Sequence, residues 1–106
     1  MDELTAKTKG EIVAIAQKII AGKVELLDGV CQIVRVSAAM IEDPKNPLSY
    51  LAIVESEVDA LPIGDVRQHW DEKALRQKDV EIQKATEWYR EDVLKACHEL
   101  IQEYGK

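Results

Sequence analysis

The longest uninterrupted pattern in the chain is Asp71–Tyr104, DEKALRQKDVEIQKATEWYREDVLKACHELIQEY. Leu75, Ile82, Tyr89 and Ala96 recur every seven residues, and Ala85, Trp88, Val93, Cys97, Leu100, Ile101 and Tyr104 widen that row into a stripe. Apolar side chains at helical spacing, with polar ones between, predict a single long amphipathic helix. Asp71 suits its N-cap, because a carboxylate there accepts a hydrogen bond from an amide the helix leaves unpaired, and Glu72 opposes the helix dipole. Glu72 and Arg76 stand four apart with the acid first, a pairing worth ~0.3 kcal/mol. Gly105 supplies the stop. At the usual rise such a helix is ~50 Å long, whereas a compact chain of this size has a radius of gyration of about 13 Å. Two architectures reconcile those lengths. Either the helix overhangs its own core and its stripe needs a second copy or another protein, or it breaks near Lys84–Thr86 and folds back into a four-helix bundle.

The segments before it read as shorter helices. Thr8 and Glu11 have capping-box spacing, which places the first start near Thr8 and leaves 1–7 as a flexible N-terminus. Ile12, Ile15, Ala16, Ile19 and Ile20 form its buried face, and Gly22 its stop. A second helix is expected from about Glu25 to Met40, on Leu26, Leu27, Val30, Cys31, Ile33, Val34 and Ala38. Gly29 costs about 1 kcal/mol against Ala in a helix interior, and close approach of a neighbouring backbone would offset that cost. The short connection makes these two helices an antiparallel hairpin. Residues 42–47, Glu42-Asp43-Pro44-Lys45-Asn46-Pro47, read as a loop. Leu51, Val54, Val58 and Leu61 favour helix over strand for the next stretch, and 61–70 reads as a second loop. With no Phe, three Pro and five Gly, and no alternating apolar–polar run, the chain is expected to be one all-α domain over 1–106. It would consist of a helical hairpin, a short helix and a long C-terminal helix, arranged like a four-helix bundle.

The chain has 106 residues and a net charge of −6. That length supports one core. No stretch approaches the ~20 apolar residues of a membrane span, and Met1-Asp2-Glu3-Leu4 is no secretory leader, so a cytoplasmic soluble protein is expected. An acidic chain lacks the clustered Lys and Arg that grip phosphate backbones, which argues against a nucleic-acid partner. Cys31 and Cys97 are too few for a disulfide scaffold or a four-thiolate zinc site. Both fall on apolar helical faces and read as small hydrophobes. No nucleophile elbow, phosphate loop, dinucleotide fingerprint or zinc helix is present, so no cofactor is expected.

Residues 42–59 carry five acidic side chains against Lys45 alone, so much of the net charge gathers there. The stretch Ser56–Trp70, SEVDALPIGDVRQHW, follows. Glu55, Glu57, Asp59, Asp65, Arg67, His69 and Trp70 are its candidate binding residues. Two readings compete. In the structural one, Glu57 or Asp59 pairs with Arg67, Pro62 and Gly64 shape the turn, and Trp70 plugs the core. In the functional one, the same groups receive a cationic ligand, a metal or a basic partner. Glu55 and Asp59 share a helical face, and with His69 they offer oxygen and nitrogen donors, although no ligand spacing is diagnostic. Trp88 and Tyr89 are adjacent and point to different sides of their helix. One of them therefore sits at the stripe edge, where an interface anchor would stand.

At this segment the chain resembles a family of small bacterial helical proteins of unknown activity, marked by Ser-Glu-x-Asp-x-Leu-Pro-x-Gly-x-x-Arg-x-x-Trp before a long helix. The matching residues are Ser56, Glu57, Asp59, Leu61, Pro62, Gly64, Arg67 and Trp70, then Ala74 and Leu75, with Gly22 and Gly29 in the first hairpin. Members carry a Gly shortly before the Ser-Glu pair. Here Ala52-Ile53-Val54-Glu55 has none, so that stretch is more helical. The resemblance implies a bacterial, cytoplasmic helical domain and no particular activity. The expected function is a non-enzymatic interaction module, dimeric or bound to a protein with a basic surface, as immunity or antitoxin proteins are. The alternative is a protein binding a small molecule or divalent metal, including a hydrolase, through Glu57, Asp59, Arg67 and His69.

Overall fold

The Asp71 carboxylate faces the Ala74 amide at 3.4 Å, and from there a computed structural model carries helix α4 without interruption through Glu72–Tyr104. The structure describes residues 3–38 and 46–105. The alternative break at Lys84–Thr86 does not occur. Thr86 stays helical by donating its hydroxyl to the Ile82 carbonyl at 2.8 Å, which satisfies the group locally. The Gly105 amide closes the end on the Ile101 carbonyl. The molecule is 48 Å in its longest dimension, so α4, ~50 Å by its rise, sets the length of the whole protein.

Three shorter helices precede it. Helix α1 runs Glu3–Ile20 and starts ahead of the expected Thr8. Thr8 and Glu11 lie inside it, so the capping box and the flexible 1–7 segment are corrected for residues 3–7. Leu4, Ala6 and Lys7 are good helix formers that simply extend the pattern. Its end matches expectation. Gly22 takes φ +74°, its amide donates to Ile19 O at 3.1 Å, and the Lys23 amide donates to Lys18 O at 2.9 Å. That pair of bonds needs a left-handed residue, which glycine accepts without strain.

Helix α2 spans Leu26–Ser37. Residues 39 and 40 of its expected end lie outside the described residues. Gly29 is buried, and a Cβ there would run into the Ile19 side chain. The close neighbour is therefore a side chain, not a backbone. Helix α3 spans Pro47–Val58. Asn46 is its N-cap, accepting from the Leu48 amide at 2.9 Å, and Pro47 occupies the first position, where a missing amide costs nothing. The expected loop 42–47 is thus corrected at Asn46 and Pro47, and 42–45 lie outside the described residues. Within the expected loop 61–70, Gly64–His69 form a 3-10 turn, entered through Gly64 at φ +77°.

The four helices pack in a ring, each antiparallel to the next, α1 against α2 and α4, and α3 against α2 and α4. Lys9 of α1 lies over the Tyr104 ring, and Asn46 donates to the Tyr104 hydroxyl at 3.3 Å. Both the start of α1 and the start of α3 therefore meet the end of α4. The centre is filled by Ile12, Ala16, Ile19, Leu27, Val30, Ile33, Leu48, Leu51, Val54, Val58, Val93, Ala96, Cys97 and Leu100. All four buried residues of α4 fall at its C-terminal end. Ile82, Ala85 and Tyr89 are half-buried, while Val80 and Trp88 are exposed. The chain is thus a bundle whose last helix also outruns its cover. Among the described residues there is no strand, and no helix is long and apolar enough to cross a membrane.

Candidate functional site

The 3-10 turn fixes Arg67, and Arg67 determines how the segment is closed. Its guanidinium grips Asp79 of α4 with both arms, Nη1 to Oδ1 at 2.7 Å and Nη2 to Oδ2 at 3.2 Å. Nη1 also donates to the Pro62 carbonyl at 3.2 Å. The expected partners Glu57 and Asp59 are not used. The turn projects Arg67 away from α3 and onto the second turn of α4, where Asp79 stands. A planar guanidinium matches a carboxylate in this forked geometry, and the contact holds the Asp79 carboxyl below its ordinary range.

The acidic residues separate by face. Glu55 and Asp59 stand four apart on α3, so they share a side, whereas Glu57 is turned about 200° away from Glu55. Electrostatics trace the division. The Cys31 thiol is pushed up to about 11, first by burial and then by the charges of Glu55, Asp28 and Asp59, with Arg35 opposing them. The Tyr50 phenol is raised by burial and then by Asp92 and Glu57. Glu55, Asp59 and Asp28 therefore charge the α2–α3 face, and Glu57 joins Asp92 on the α3–α4 face. Asp65 shares with Asp28 a groove of about 450 Å³ that Ile15, Cys31, Arg35 and Gly64 also line, and to which α3 contributes no residue.

His69 ends the 3-10 turn and is exposed. Trp70 follows it at 37% exposure. It does not plug the core, because Asp71 must reach the first turn of α4 and the extended backbone at Trp70 carries the ring outward. A second groove, about 570 Å³, lies between the α1–α2 turn, the 3-10 turn and α4. It is floored by Ile19, Ile20, Val24 and Ile82, with Arg67 and Asp79 at its edge. A third, about 390 Å³, separates α3 from α4 and is lined by Asn46, Pro47, Tyr50, Ile53, Asp92, Lys95, Ala96 and Glu99. Glu57, Asp59 and His69 line none of these three grooves, whereas Arg67 lines the one between the α1–α2 turn and α4. Among the described residues, no three His, Cys, Asp or Glu side chains gather as metal ligands.

Asp28, Asp79, Asp92 and Glu99 were not singled out by spacing, because each is an ordinary polar position on its own helix. The separation of Glu57 from Glu55 and Asp59, by contrast, is written in the helical period. No protein-family model, no curated protein and no solved structure matches the chain. What the fold and the site define is a four-helix bundle with an arginine-strapped 3-10 turn and two acidic faces on either side of α3.

Proposed function

We propose that this protein is a non-enzymatic interaction module in which an acidic face beside α3 receives a basic region of another protein. The observation that supports this reading is that Glu55, Glu57 and Asp59 have no ion-pair partner among the described residues. Arg67, the next cation along the chain, pairs with Asp79. Carboxylates left unneutralised on a folded surface serve solubility and also speed encounters with positive partners. The Arg67 strap then has a structural role, holding the segment after α3 so that these side chains keep their places. The reading in which Glu57, Asp59, Arg67 and His69 form a small-molecule or metal site draws no support from the three grooves described above, none of which brings these four residues together.

Affinity capture with the intact chain at low salt, repeated with Glu55→Lys, Glu57→Lys and Asp59→Lys combined, tests the proposal. A specific partner should be retained by the native chain and lost by the reversed one, and its binding should weaken as salt rises. Partners that ignore the reversal would refute it.

A further inference from the structure

Among the described residues, the two most exposed large hydrophobic side chains are Trp88, at 79%, and Ile53, at 58%. They stand on one face. Ile53 lines the α3–α4 groove together with Asp92, Lys95, Ala96 and Glu99, and Trp88 lies one helical turn ahead of Asp92, on the same side of α4. Ala96 is small and buried, which leaves the floor of the groove open between Tyr50 and Ile53. The charged rim of the groove is Asp92 and Glu99 against Lys95, and Glu57, four residues past Ile53, stands on the same side of α3 just beyond that lining. From Trp88 to Glu99 the face measures ~16 Å, the length of three helical turns.

Resting on the interaction reading above, we propose that the α3–α4 groove docks a basic amphipathic helical segment of a partner protein. One or two apolar side chains seat over Tyr50, Ile53 and Ala96, the Trp88 ring covers the end of the segment, and lysines or arginines meet Glu57, Asp92 and Glu99. The charge of the rim selects this occupant. Two carboxylates against one ammonium, with Glu57 beyond them, disfavour phosphates and anionic lipid headgroups and so weigh against nucleic acid and membrane surfaces. They attract cations, and Trp88 adds a ring face on which a lysine or arginine can rest. An apolar trough with charged edges is how helices are received in grooves elsewhere. The α2–α3 face is equally acidic but lacks this exposed aromatic anchor.

The test uses the full isotope-labelled chain and a synthetic 14-residue peptide of Leu and Lys with all leucines on one helical face. A scrambled peptide of the same composition, with no apolar face, is the control. Saturable shifts centred on Tyr50, Ile53, Ala96 and Glu99 and on the Trp88 indole are expected. Trp88→Ala, and separately Asp92→Lys with Glu99→Lys, should each weaken binding about tenfold, the loss typical of an interface anchor. Glu55→Lys with Asp59→Lys should leave it within about twofold, the two sites being independent. All substituted groups are half-buried or more exposed, and amide dispersion of each variant checks that the bundle is kept. Shifts centred instead on Asp28, Glu55 and Asp59 would overturn the groove while leaving the acidic-surface reading standing. No shifts anywhere would overturn both. Equal binding of the scrambled peptide would overturn the groove as a helix site. Self-association of the free chain that Trp88→Ala abolishes would make the occupant a second copy and overturn the basic segment.

Discussion

Arg67 and Asp79 meet at 2.7 Å across twelve residues of chain, and this contact ties the 3-10 turn to the flank of α4. Both side chains stay partly in solvent, at 36% and 48% exposure. Global stability therefore depends on the contact only modestly, while the position of the turn depends on it strongly. Asp79→Asn or Arg67→Ala should accelerate amide hydrogen exchange in 62–70 and leave the amides of α2 unchanged. Exchange that speeds up everywhere would show that the strap supports the whole bundle.

The same pair gives a pH dependence. Asp79 has a lowered carboxyl pKa in the folded chain, so its contribution is present above the unfolded value, ~3.9, and is lost as pH falls through the lower folded value. Protection at 62–70, taken relative to the intrinsic exchange rate at each pH, should fall on acidification below about pH 4 and become indistinguishable from that of Asp79→Asn. A strap that opens near neutrality would contradict the assignment.

Gly29 should resist substitution for a reason specific to Ile19. A methyl group there meets the buried Ile19 side chain, with Val24 behind it at 3.3 Å. Overpacking of this kind costs about 1–3 kcal/mol, partly offset by the better helix propensity of Ala, about 1 kcal/mol. Urea denaturation of Gly29→Ala should show a net loss. Combining it with Ile19→Val should recover part of that loss, a coupling visible in a double-mutant cycle. Additive effects would place the clash elsewhere.

The two ends of α4 should differ sharply in what they support. Leu100 is fully buried and Val80 is 54% exposed. Leu100→Ala should cost about 2–5 kcal/mol by cavity formation, and Val80→Ala less than about 0.5 kcal/mol, as at ordinary surface sites. Thermal or chemical unfolding compares them directly. Equal costs would mean that the first half of the helix is covered in solution.

The thiols report on both burial and local charge. Cys97 is buried and its pKa is raised from 9.0 to about 11 by desolvation alone. A raised folded pKa contributes stability that is complete below the unfolded value and lost as pH rises through the folded one. Stability should therefore decline between about pH 9 and 11, and less so in Cys97→Ala. At Cys31, Glu55→Gln removes the leading charge that raises the thiol. Its reaction with a disulfide reagent at mildly alkaline pH should become faster, since the thiolate is the reactive form. An unchanged rate would remove Glu55 from the surroundings of Cys31.

The spans of the helices are readable in the sequence because each is specified locally. The helical spacing of Leu51, Val54 and Val58 marks α3, although Leu61, read with them, lies beyond its end; the Asp71 carboxylate marks the start of α4, and Gly22 marks the end of α1. Where local signals compete, the reading fails. Thr8 has the chemistry of a cap, but the residues before it are equally willing to be helical. Asn46 and Pro47 look like a loop and are instead the cap and first position of a helix.

The order of helices, the all-α class and the gathering of negative charge ahead of Pro62 and Gly64 follow from the amino acids alone, since propensity, capping and periodicity act within a few residues. The partner of Arg67 does not. Glu57, Asp59 and Asp79 are equivalent carboxylates along the chain, and only the landing of the 3-10 turn against α4 brings Asp79 within 2.7 Å. Nor does local sequence assign Glu55 and Asp59 to one face of the bundle and Glu57 to another, turn Trp70 outward, or join Ile53 and Trp88 across a groove. Those outcomes depend on how one helix is rotated against its neighbour, and burial of the whole core sets that rotation.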